Sequence, residues 1–191
     1  LIERDLTLLE KAKCRYHISQ LSSQKSLQVI KYRKEMVKFT CGVSINNLSL
    51  NENDIGDFRT FLKLSPPLRT EEDREALVQG VKDGLIDVIV SDHKPEDEES
   101  KRLTFSQAAT GASGVETLLS LSLELYHNGS LKLETIIKAL TSGPAKILKL
   151  DKGNLSIGND ADLCIVDIDK PWVVKKEKLI SKSKNTSIED K

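Results

Sequence analysis

The spacing of apolar positions alternates between helical and extended periods along most of the chain. Leu6, Leu9 and Ala12 recur at helical spacing through Arg4 to Lys13, which predicts a short helix with one apolar stripe. Cys14 to Leu21 alternates as a strand does. Ser22-Ser23-Gln24 then caps a helix running to about Met36, with Leu27 and Ile30 inward and the lysines and Arg33 outward. Lys38 to Ser44 reads as the next strand. Strand, helix, strand with short joints is the parallel crossover unit of α/β folds.

Regularity lapses from Ile45 to Arg69, where Asn46-Asn47, Asn51, Asn53 and Pro66-Pro67 mark a long excursion of the kind that is functional or flexible in a compact domain. Thr70-Glu71-Glu72-Asp73 is a capping-box signature, and Ala76, Leu77 and Val81 line the helix it opens, which ends at Gly84. Leu85 to Ser91 is a buried strand. The mixed-charge run Lys94 to Lys101 reads as a solvated, mobile loop. Helices are predicted over Val115 to Tyr126, where His127 serves as a C-terminal cap, over Leu131 to Leu140, and from Pro144 to Leu148. Past Asp151 the pattern changes to turns at Gly153 and Gly158 and short strands at Leu163 to Asp167 and Pro171 to Val174. A boundary near Asp151 divides residues 1–150 from a β-rich segment, 151–191, whose polar end from Ser181 is expected to fray.

Composition narrows the function classes. Twenty-nine basic residues balance 29 acidic ones, and the signs are mixed, so neither a nucleic-acid face nor an acidic tail is implied. Cys14, Cys41 and Cys164 are widely spaced and odd in number, as reduced structural thiols of a cytoplasmic protein are, and no Cys-x-x-Cys pair offers a thiolate zinc site. No run reaches membrane-spanning length, and Leu1 to Asp5 is not a signal peptide. The chain opens on leucine inside an amphipathic pattern, as though a segment preceded it.

Asp92 draws the eye as the acid at the end of the buried strand, where α/β folds place their chemistry; it is equally a residue that opens a loop with His93 and Pro95. Gly111 and Gly114 precede a helix and could hold an anion on backbone amides or simply form a tight turn, but without the Walker spacing they are no P-loop.

Ser65 to Leu77, Val90-Ser91-Asp92-His93-Lys94-Pro95, Gly114-Val115-Glu116-Thr117 and Asp160-Ala161-Asp162-Leu163 together resemble the C-terminal part of the bacterial dihydroorotases, within the amidohydrolase superfamily. The match keeps its order over nearly the whole chain. The resemblance implies the C-terminal half of a TIM-type (β/α) barrel, about four of its eight strands, in residues 1–150, and part of a small β-domain after it. It also implies pyrimidine biosynthesis, cyclic-amide hydrolysis of dihydroorotate or its reversal, and zinc as the cofactor that lowers the pKa of a bound water. Asp92 matches the family aspartate that binds metal and carries the proton.

Other family positions depart from the pattern. Gln20 stands where the family has a metal histidine, and three residues before it on a regular strand His17 would point to the opposite face. Ser65, Glu96 and Thr110 replace the usual asparagine, histidine and phenylalanine of the substrate positions, beside Gly111; Asn46-Asn47 replace a histidine pair. Glu96 sets an anion where a substrate carboxylate would be received. A catalytic zinc needs about three protein donors, and this chain offers one credible carboxylate. The expectation is a dihydroorotase-like chain, inactive alone and without its own zinc, that serves as a homodimer or as a scaffold for aspartate transcarbamoylase. The alternative is the C-terminal portion of an active zinc-dependent dihydroorotase.

Overall fold

The computed structural model describes residues 1–188. Three parallel strands, β1 (His17–Leu21), β2 (Thr40–Ser44) and β3 (Val88–Val90), form one sheet in the order of the chain. Among the described residues that is one strand fewer than the crossover count suggested, and the strand predicted from Cys14 begins at His17.

Helices fill the crossovers: α1 (Ile2–Ala12) leads into β1, α2 (Gln24–Arg33) joins β1 to β2, and α4 (Glu71–Lys82) precedes β3, with the short α3 (Ile45–Ser49) directly after β2. The caps fall where the sequence placed them. Ser23 Oγ accepts the amide of Ser26, and Thr70 Oγ1 accepts that of Asp73, each satisfying a donor the first helical turn leaves open. Leu27 and Ile30 of α2 and Leu77 and Val81 of α4 are buried with Ile18, Cys41, Val43 and Ile89 of the sheet, so this is the face that holds the helices on. Arg33 does not point outward as expected. Its side chain is buried and reaches Glu10 at 2.9 Å and Glu3 at 3.5 Å, the aliphatic stem covering core while the head meets carboxylates of α1.

Asp87, just before β3, ties the sheet together at its N-terminal end by accepting from the Cys41 amide at 2.8 Å and the Lys34 ammonium at 3.0 Å. After β3 come α5 (Glu98–Lys101), α6 (Leu118–His127), α7 (Leu133–Leu140) and α8 (Ser142–Leu148). The helix expected from Val115 starts at Leu118, and ahead of it Gly114 and Val115 give their amides to the His93 ring. His127 closes α6, but its Nε2 donates to the Ile168 carbonyl at 2.9 Å rather than capping the helix itself.

The segment after Asp151 departs furthest from expectation. Among the described residues, 151–188 contain no paired strand, only an isolated bridge from Thr186 to Ser113 and a single 3-10 turn, Lys176–Lys178. Leu163 and Ile165, read as strand, are exposed, since no neighbouring segment takes up their backbone groups. The expected frayed end is wrong in the other direction. Asn185, Thr186, Ser187 and Ile188 are all at least 97% buried; the remainder of that stretch, 189–191, lies outside the described residues. No helix among the described residues is long and apolar enough to cross a membrane.

Candidate functional site

The carboxyl ends of the strands collect the family positions. Asp92 follows β3 in a left-handed backbone conformation, φ +50°, which a short polar side chain tolerates better than most. It turns a half-buried carboxylate toward β1, where Gln20 Nε2 donates to Oδ1 at 2.7 Å. Burial pushes the Asp92 carboxyl above its ordinary range, opposed by the Gln20 bond and the charge of Lys94.

Gln20 reaches Asp92 through an irregularity. The register pairs Ile18 with Cys41 and Leu21 with Val43, so β1 spends three residues where β2 spends two. Parity along β1 is thereby lost, and the expectation that His17 and Gln20 face opposite ways fails. His17 sits on the face of its partner Thr40, its Nδ1 2.7 Å from the Thr40 hydroxyl, while Ile18 and Leu21 share the core face. Burial lowers the His17 pKa, opposed by the charge of Asp87. It lines a cavity of about 810 Å³ at the opposite, amino end of the sheet, with Arg15, Thr40 and Asp87, far along the strand from Asp92.

His93 is adjacent to Asp92 but occupied. Its Nδ1 accepts from the amides of Gly114 at 3.2 Å and Val115 at 3.3 Å, which aims that side of the ring at the backbone. The loop can come this close only because a Cβ at Gly114 would lie 2.3 Å from the Ser91 carbonyl, and one at Gly111 would lie 2.5 Å from that of Lys94.

The structure brings three of the four substrate positions together. Lys94 Nζ donates to Thr110 Oγ1 at 3.2 Å and stands 3.8 Å from the Glu96 carboxylate, so the anion introduced at Glu96 has a counter-charge beside it. Gly111 gives its amide to the Lys63 carbonyl at 2.9 Å. Ser65, exposed ahead of Pro66, makes no hydrogen bond to these groups among the described residues.

Two residues here, Asn185 and Lys101, carried no signal in the sequence pattern, and a third, Asn46, stood out only for replacing a family histidine. Asn185 threads between the site loops: its Nδ2 donates to the Gly111 carbonyl at 3.2 Å, its Oδ1 accepts the Glu96 amide at 3.2 Å, and its carbonyl accepts the Ser113 amide at 2.8 Å. Asn46, just past β2, is buried and accepts from the Ser187 hydroxyl at 2.7 Å. Lys101 sits in the run read as a solvated loop, yet it is 1% exposed. One lysine among charges at irregular spacing gives no periodicity to betray burial; the glycines at 111 and 114 were the nearest hint that backbones approach closely there.

As a metal centre the arrangement is a poor match. Among the described residues no three of His, Cys, Asp and Glu converge, and Asp92, the carboxylate at the family's metal position, already has one oxygen engaged by an amide hydrogen.

A model of the amidohydrolase family matches residues 5–190. The dihydroorotase of Ehrlichia chaffeensis is 44% identical over 97% of this chain, and that of Wolbachia sp. subsp. Drosophila simulans 41% identical over the same share. The chain spans 42% and 43% of those two relatives' own lengths. Among solved structures, the L-hydantoinase (dihydropyrimidinase) of Arthrobacter aurescens superimposes with a TM-score of 0.85 at 31% identity, covering 92% of this chain and 41% of that one. A dihydropyrimidinase from Brevibacillus agri, at 22% identity and TM-score 0.76, shares the fold.

Proposed function

Starting from a chain that belongs to the amidohydrolase family, we propose that this is a dihydroorotase-like protein of pyrimidine biosynthesis that does not itself hydrolyse the cyclic amide. The observation that carries this reading is the 2.7 Å bond from Gln20 to Asp92. An amide N–H takes up one oxygen of the Asp92 carboxylate, and Gln20, standing where the family has a metal histidine, is itself a neutral, weak donor. The Lys94 partnership of Glu96 and Thr110 adds to it, because the cation that could receive a substrate carboxylate is already facing an anion.

Such a chain serves by association, either with a second copy or as a scaffold for aspartate transcarbamoylase. Among the described residues both outer strands, β1 and β3, have a single neighbour in the sheet, an edge that further strands can pair. The purified protein is incubated with dihydroorotate and with N-carbamoyl-aspartate in the presence of zinc, and separately sedimented alone and with the transcarbamoylase. No turnover and a heavier species support the reading. Chelator-sensitive turnover overturns it.

A second reading is an active hydrolase to which this chain contributes the proton-transfer acid. It is favoured by the half-buried Asp92 carboxyl, whose pKa burial raises toward the range useful to a general base. Turnover in the same assay that is lost in Asp92→Asn favours this reading.

A further inference from the structure

Lys101 is among the most deeply buried large side chains, and among the described residues its ammonium makes no ion pair with a carboxylate. Instead Nζ lies 2.8 Å from the Ala109 carbonyl, 3.0 Å from that of Thr60 and 3.5 Å from that of Lys63. A buried cation satisfied only by neutral carbonyls is costly compared with an apolar side chain of the same volume. The three acceptors belong to two separate segments. Thr60 and Lys63 lie in the excursion after β2, and Ala109 immediately precedes Thr110 and Gly111, whose amide bonds to the same Lys63 carbonyl. The joint is reinforced from the other side: Lys63 Nζ donates to the Ala108 carbonyl at 2.7 Å and the Ser106 carbonyl at 2.9 Å.

We propose that Lys101 is a positioning residue of the site loop: three N–H donors of one buried ammonium hold the Ala109 carbonyl, and with it the adjoining Thr110-Gly111, against the Thr60–Lys63 turn. The proposal rests on the reading of Thr110 and Gly111 as substrate positions. A methionine would fill the volume and an arginine would overfill it; only a primary ammonium supplies three divergent donors from a point.

The charge makes the clamp dependent on pH in a way that simple packing is not. Burial lowers the Lys101 pKa to about 8, with Glu96 raising it and Lys63 and Lys94 lowering it. On deprotonation the amine keeps two N–H groups for three carbonyls, and the 3.5 Å bond to Lys63 is the weakest of the set. Gly111 therefore loosens as pH rises through that value. Global stability moves the other way. Between about 8 and the ordinary 10.5 the unfolded chain binds more protons than the folded one, so unfolding becomes harder as pH rises.

The test is amide hydrogen exchange of the full chain from about pH 6.5 to about pH 9.5, corrected for base-catalysed intrinsic exchange, with urea unfolding at the same pH values. The expected result is a fall of about tenfold in the protection of Gly111 relative to the β2 amides, while global stability relative to Lys101→Met rises. In Lys101→Met the Gly111 protection is low throughout and does not change with pH. A flat wild-type profile overturns the proposal, as does wild-type protection in the variant; if the variant does not fold, the wild-type profile alone decides. No substrate is present, so failure here removes the clamp and leaves the functional reading standing, whereas turnover of dihydroorotate would do the reverse.

Discussion

Gln20 on β1 and Asp92 after β3 are separated by 72 residues and by the whole width of the sheet's middle strand, yet their side chains meet at 2.7 Å. The contact depends on the extra residue in β1 between Ile18 and Leu21. Because the Gln20 bond is the foremost influence holding the Asp92 carboxyl down against burial, Gln20→Leu raises the Asp92 pKa further. A carbon-13 titration of the Asp92 carboxyl reads this directly; a downward shift would mean that burial is not what sets it.

Asn185→Ala tests the tail. It removes partners from the buried Gly111 carbonyl and the partly buried Glu96 amide. Leaving buried polar groups unpaired costs about 1 to 3 kcal/mol each, so the urea midpoint falls with the slope unchanged. A variant as stable as the parent would place the tail outside the cooperative unit.

Glu71 answers to acid. Arg74 grips it through Nε at 2.8 Å and through Nη2, and Asn51 Nδ2 donates at 2.8 Å, which together hold the carboxyl at about 2, well below its ordinary 4.5. Folded pKa below unfolded pKa means that the pair's contribution is complete above about 4.5 and is lost as pH falls toward about 2. Glu71→Gln lacks this component, so its stability falls less steeply than the parent's across that window in acid-unfolding scans.

The thiols divide by exposure. Cys14 and Cys164 are exposed, whereas Cys41 is fully buried, donates to the Leu85 carbonyl at 3.1 Å, and has its pKa pushed up to about 12 by burial. Native protein at neutral pH is expected to take up two equivalents of a maleimide and a third only in denaturant. Rapid labelling of the third thiol without denaturant would show that β2 opens locally.

Gly114→Ala forces a Cβ to within 2.3 Å of the Ser91 carbonyl, and backbone cannot swing aside as a side-chain tip can. The His93 ring then loses its amide donors, and stability drops by about 2 kcal/mol or more. Histidine proton shifts check it: an unchanged His93 resonance would mean that the loop absorbs the methyl elsewhere.

The α/β alternation, the caps at Ser23 and Thr70, the inward faces of α2 and α4, and the position of Asp92 were all legible from residue order, because each depends on periodicity or on a side chain bonding within a few residues of itself. The resemblance carried the family from the same order of residues. What residue order left undecided is everything that one residue of register or one distant partner can change. An extra residue in β1 turned His17 away from its predicted face, a lysine in a charged run became buried because carbonyls from two remote segments surround it, and a polar tail became part of the site because its amides found Gly111, Glu96 and Ser113. Local pattern encodes burial only where an element pairs with itself or a near neighbour; where hydrogen bonds run between segments tens of residues apart, the folded chain alone selects the partner.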